Sequence, residues 1–136
     1  MALATYEALC IDAVDARALG RFWAGVLDLE LSVREDGQVR LDGTTPAETI
    51  WINAVPEPVT VKQRVHLDVN LHRVEDVLAL GATAVDLESF RWKVLRDPEG
   101  GEPVRVLRER PARPAAGGAW SWTQPTRRRS RPGGPG

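Results

Sequence analysis

The stretch Arg64-Val65-His66-Leu67-Asp68-Val69 sets an imidazole and a carboxylate two residues apart. Side chains of an extended chain alternate between faces, so His66, Asp68 and Asn70 share one face and Val65, Leu67 and Val69 the other. The apolar face is expected to pack and the polar face to line a pocket, since an unpaired charge in a dry core is expensive. An imidazole exchanges a proton near neutral pH, so His66 is a candidate general acid/base with Asp68 beside it. A pocket hydrogen-bonding group and a satisfied structural histidine are the alternatives. Asp12, on another alternating run, is a second carboxylate expected to face the cavity, able to orient His66 or to accept a donor from a ligand. Trp51 and Asn53 share a face of a further strand, and Trp92 joins them as a candidate aromatic wall. Tryptophan offers a large apolar surface and one donor, which suits a flat or cyclic ligand, with core packing as the competing reading.

Other chemistries find no support. There is no phosphate-binding glycine loop, Walker-type lysine pattern, serine nucleophile motif or cysteine nucleophile context. Cys10 is the single cysteine, which excludes an intrachain disulfide and a cysteine-cluster metal site. Its apolar neighbours predict a small buried filler. His72 is expected at an exposed helix start, and Arg91 or Arg96 as solvated strand arginines.

The elements that must position these residues follow from periodicity. Tyr6 to Val14 reads as a strand with Leu9, Ile11 and Ala13 on one face and Ala8, Cys10 and Asp12 on the other. Asp15 is placed to cap a helix from Ala16 to about Leu27, whose buried stripe is Leu19, Phe22, Trp23 and Val26. Gly20 and Gly25 weaken that helix but let it lie close to a sheet. Strands are predicted over 29–34, 38–41 and 48–54, with a hairpin turn at Asp36-Gly37. Pro56 and Pro58 mark 55–61 as a linker. From Arg64 the same order returns: the His66 strand, a short helix with Val74, Val77 and Leu78 inward, a stop at Gly81, and strands over 82–87, 90–95 and 103–107.

The 136 residues suffice for one small domain or two half-domains sharing a core. Residues 1–110 carry 13 Lys and Arg against 19 Asp and Glu, a net of −6, while 111–136 carry 5 Arg and no acid. The acidic folded part argues against specific nucleic-acid binding. The Pro/Gly/Arg-rich segment 111–136 is expected to be mostly disordered, with Trp120 and Trp122 as candidates to dock on the domain or a partner. No 18-residue apolar span and no secretory leader is legible, so a cytoplasmic protein without a membrane partner is expected.

Four segments together resemble the glyoxalase-like family of the vicinal oxygen chelate superfamily: Asp15-Ala16-Arg17-Ala18-Leu19-Gly20-Arg21-Phe22-Trp23, Val65-His66-Leu67-Asp68-Val69, Leu80-Gly81-Ala82 and Asp97-Pro98-Glu99-Gly100. The resemblance implies an α+β fold of paired βαβββ units forming a curved mixed sheet around a small cavity. The first unit would span about 6–54, the second about 64–108, within a domain of 1–110. Relatives use such cavities for metal-assisted isomerisation, thiol transfer, ring cleavage or sequestration, and many are homodimers. The ligand positions of metal-dependent relatives fall on Ala8, His66 and Val104 of this sequence, so the resemblance implies no conventional metal site and no cofactor. An unorthodox set of His66, Asp68, Asp12 and Glu102 is the remaining metal option. Gly101 also stands where relatives commonly carry asparagine.

The leading expectation is therefore a protein that binds, and sequesters, a small toxic or aromatic molecule, with Trp51 and Trp92 as contact area and Asp12, Asn53, His66 and Asp68 setting orientation. A metal-independent lyase or isomerase using His66 as acid/base is the rival. A structural or regulatory role through a dimer surface or the tail is the third.

Overall fold

A computed structural model describes residues 1–101 and 104–109. The first half comprises β1 (Leu9–Ala13), α1 (Ala16–Leu27), β2 (Glu30–Val33), β3 (Val39–Asp42) and β4 (Ile50–Ala54). The second repeats that order with β5 (Leu67–Leu71), α2 (Val74–Ala79), β6 (Thr83–Asp86), β7 (Lys93–Arg96) and β8 (Val104–Glu109). Each half forms a four-stranded mixed sheet, ordered β1-β4-β3-β2 and β5-β8-β7-β6. The outer strand pairs its neighbour in parallel in both halves, Cys10 opposite Trp51 and Asp68 opposite Arg105. Superposing the two registers makes Cys10 equivalent to Asp68, and Ala8 to His66. The architecture is α+β, built from two βαβββ units as expected.

The helix α1 starts where its sequence says it should. The Asp15 carboxylate accepts the Ala18 N–H at 2.9 Å, satisfying one of the amides that the first turn leaves free. Leu19, Phe22 and Trp23 are buried against Val39, Leu41 and Ile52 of the first sheet. Each such side chain contributes about 1.5–3 kcal/mol by leaving water. The rings of Phe22 and Trp23 meet edge to face at 5.2 Å. Gly20 explains the close approach: a Cβ there would stand 2.7 Å from Cγ1 of Val39. In the second half Val74 and Val77 of the six-residue α2 are buried against Val69, Leu71 and Val106, a smaller version of the same packing.

Several expectations need correction. β5 begins only at Leu67, so His66 lies just ahead of the strand. Val65, expected on the packed face, lies before the strand and is 71% exposed. Cys10 is exposed rather than a buried filler, because it shares the Asp12 face of β1, away from α1. A 3₁₀ turn at Pro46–Glu48 was not anticipated. It is held by Glu48, whose carboxylate accepts the Thr45 N–H at 2.9 Å. Glu102, Pro103 and the segment 110–136, with Trp120 and Trp122, lie outside the described residues.

Candidate functional site

The two halves meet along β1 and the approach to β5, and a groove of about 300 Å³ opens at that seam. Residues 9–13 of β1 form one wall. The segment between β4 and β5 contributes Glu57, Val59, Gln63 and His66, and the β7–β8 turn contributes Asp97 and Glu99. Two of the residues singled out by sequence, Asp12 and His66, therefore line one groove.

His66 is held from behind. Its Nδ1 lies 2.8 Å from Oδ1 of Asp68, and Nε of Arg105 approaches the same oxygen at 3.8 Å. The period-two spacing produces the first contact, and the parallel register that sets Asp68 opposite Arg105 produces the second. A neutral imidazole donating Nδ1–H to this carboxylate keeps Nε2 as an acceptor, and the ring cannot rotate without losing the bond. Asp68 does not line the groove; it orients the residue that does. The row continues outward: the Arg105 guanidinium sits 4.9 Å from the Trp92 ring centroid, and Trp92 stacks on Phe90 at 5.3 Å.

Asp12 is fixed by a matching device in the first sheet. Asn53, its register partner, donates Nδ2–H to Oδ1 of Asp12 at 3.2 Å. Trp51 lies between Arg34 and Arg40, whose guanidinium carbons stand 5.5 and 5.4 Å from its ring. Arg40 in turn is anchored on Asp42 at 2.9 Å. Trp51 thus occupies the sheet face opposite α1 and Trp92 stands just ahead of β7, each against arginine, and neither lines the groove.

Four polar lining residues, Glu57, Gln63, Asp97 and Glu99, escaped sequence reasoning. Asp97 is buried and accepts the N–H groups of Glu99 at 3.0 Å and Gly101 at 3.2 Å. Burial pushes its carboxyl up to about 6, the charge of Glu99 adds to this, and the amide hydrogen bonds oppose it. Glu99 reaches across the seam to the backbone of Val14 and Asp15 at 3.1 and 2.8 Å. Gln63 lines the groove with its Oε1 buried and, among the described residues, without a partner. The Asp97-Pro98-Glu99-Gly100 run was legible as a turn, and Gly100, at φ 82°, is the residue that needs glycine there. Which element the turn would touch was not legible.

The donor set does not fit the metal of metal-dependent relatives. Ala8 and Val104 carry no donor atom, and Val104 is buried on the face opposite Asp68 and Arg105. Among the described residues no group of three His, Cys, Asp or Glu side chains gathers to hold an ion. No described helix is long and apolar enough to cross a membrane.

Comparison with known proteins agrees with this architecture. Residues 8–104 match the family model for a glyoxalase-like domain. Among solved structures, a glyoxalase/bleomycin resistance protein/dioxygenase family enzyme from Burkholderia phytofirmans PsJN is 22% identical with a TM-score of 0.56, the match covering 75% of this chain and 96% of that one. A glyoxalase-related enzyme from Fulvimarina pelagi is 12% identical with a TM-score of 0.60, covering 79% and 89%. The fosfomycin resistance protein FosX from Mesorhizobium loti is 13% identical with a TM-score of 0.57, covering 78% and 92%. At these identities the likeness is one of fold. No curated protein matches the sequence. With the family model spanning more than two thirds of its length and both βαβββ units in place, the chain belongs to the glyoxalase-like domain family of the vicinal oxygen chelate superfamily.

Proposed function

We propose that this glyoxalase-like domain binds a small organic molecule in the groove between β1 and β5 and sequesters it, using no divalent metal at the family's usual ligand positions. The observation that supports this reading most is the pairing of two oriented polar groups on one groove: His66, aimed by Asp68, and Asp12, held by Asn53. Oriented polar groups in a concavity bordered by Leu9, Ile11 and Val59 are what small-molecule sites use for specificity and area respectively. In this reading Trp51, on the face of the first sheet away from α1, and Trp92, just ahead of β7, act where a second copy of the chain in a homodimer would meet them. The protein works in the cytoplasm and needs neither membrane nor nucleic acid.

The test is native mass spectrometry of the full chain purified without added metal, followed by denaturing analysis of whatever dissociates. A co-purified organic mass without stoichiometric metal is the expected outcome. A stoichiometric divalent ion removed by His66→Gln overturns the metal-free reading.

The His66–Asp68 contact also favours a second reading, a metal-independent lyase or isomerase. An imidazole held as one tautomer with Nε2 accepting is equipped to take a proton from a bound substrate. In that case His66→Gln abolishes turnover while leaving most of the binding intact.

A further inference from the structure

The polar wall of the groove is made almost entirely of acceptors. Asp12, Glu57, Asp97 and Glu99 line it, and among the described residues no lysine or arginine does. Lys62 and Arg96 line a neighbouring groove of about 220 Å³, with Gln63 in the wall between the two. The acidic lining is not the whole case. Among the described residues Gln63 Oε1 is a buried acceptor without a partner, and an unmet acceptor away from water costs free energy that a donor from a ligand would recover. The side chain lies against Gly101, where a Cβ would stand 2.5 Å from that oxygen and displace it. The carboxylates have capacity to spare as well. The contacts that hold them in place are the Asn53 amide on Asp12, the Glu99 and Gly101 amides on Asp97, and the Val14 and Asp15 amides on Glu99. A carboxylate offers about four lone-pair sites, so each can still accept from a ligand. Among the described lining residues His66 is the imidazole, and in the neutral ring its bond to Asp68 leaves Nε2 accepting. The apolar remainder, Leu9, Ile11, Val59 and Val65, suits a hydrocarbon body.

We propose that the ligand of this groove is a small organic ammonium, a protonated amine carried on an apolar body, with Asp12 and Gln63 as the residues that select it. This rests on the reading of the groove as a binding site. A neutral alcohol of the same shape makes the same apolar contacts but donates fewer hydrogen bonds and gains nothing from the acidic lining. A carboxylate meets repulsion.

The test is titration of the full-length ¹⁵N-labelled chain near neutral pH with three probes of one shape, benzylammonium, benzyl alcohol and benzoate, followed by amide chemical shifts. Benzylammonium is expected to move the groove amides saturably, about tenfold more tightly than benzyl alcohol, and to weaken as salt is raised. Asp12→Asn and Gln63→Ala, both remote from the buried stripe of α1, are each expected to weaken it several-fold. Benzyl alcohol or benzoate binding the groove as tightly as benzylammonium overturns the choice of a cation and leaves the groove as a binding site. Unchanged benzylammonium affinity in both variants overturns the assignment of the selecting residues. Groove amides unmoved by all three probes overturn the binding site itself, and this proposal with it.

Discussion

The Glu99 carboxylate of the β7–β8 turn accepts the backbone N–H of Asp15, 84 residues earlier, at 2.8 Å. Its other oxygen accepts the Val14 N–H at 3.1 Å. One side chain of the second unit thereby satisfies the entry to α1 in the first, beside Asp15, which caps the same helix from within. Glu99→Ala leaves two amides to find water and removes a negative charge from a helix N-terminus. A loss of about 1–2 kcal/mol is expected from the hydrogen bonds and the dipole together. Hydrogen exchange on the full chain checks the location: amides of Val14 to Ala18 should lose protection before those of Val39 and Leu41.

Asp97 gives the fold a pH dependence of defined sign. Its carboxyl titrates at about 6 in the folded chain against 3.8 ordinarily, because burial disfavours the charged form. The folded state thus holds a proton that the unfolded state releases between those values. Stability contributed by this group is present in full below about 3.8 and is lost as pH rises through about 6. Asp97→Asn keeps an acceptor for the Glu99 and Gly101 amides and removes the titration. Urea unfolding of wild type and variant between pH 4 and 7 should show the wild type losing stability relative to the variant as pH rises.

Gly20 sets two effects against each other. Gly20→Ala raises helix propensity by about 0.8–1 kcal/mol. The new methyl would stand 2.7 Å from Cγ1 of Val39, a fully buried side chain with little room to yield. Overpacking of this kind costs about 1–3 kcal/mol, so net destabilisation is expected. Val39→Ala clears the obstruction, and the double variant should be more stable than the sum of the two single losses predicts, a coupling that a thermodynamic cycle reads directly.

Asp68 lies outside the groove lining and contacts His66, which is part of it. Asp68→Asn replaces an anionic acceptor with a neutral carboxamide, so the preference for the Nδ1–H tautomer weakens. Imidazole ¹⁵N shifts should move towards a mixed tautomer, while thermal stability changes by less than about 1 kcal/mol because the pair is substantially exposed. A role for Asp68 in packing alone would leave the His66 nitrogen shifts unchanged.

Periodicity determined most of the fold. The Asp15 cap, the Leu19, Phe22 and Trp23 stripe, the Asp36-Gly37 hairpin and the repeated element order are local signals, because each depends on residues only a few positions apart. The His66–Asp68 contact belongs with them, since i and i+2 of an extended chain face the same way. The pairing of Asp12 with Asn53 required the parallel register of β1 on β4, and that of Asp68 with Arg105 the register of β5 on β8. Nothing local encodes a register between strands tens of residues apart. Cys10 reads as a core residue by its neighbours and is exposed because the outer face of β1 looks away from α1. Trp51 and Trp92 carry the composition of a ligand wall, yet Arg34 and Arg40 stand over the first ring and Arg105 over the second. The groove itself, with Gln63, Asp97 and Glu99 in its wall, exists only where the two units meet. Its chemistry depends on which side chains the seam brings together, a property of packing between distant segments that no window of sequence contains.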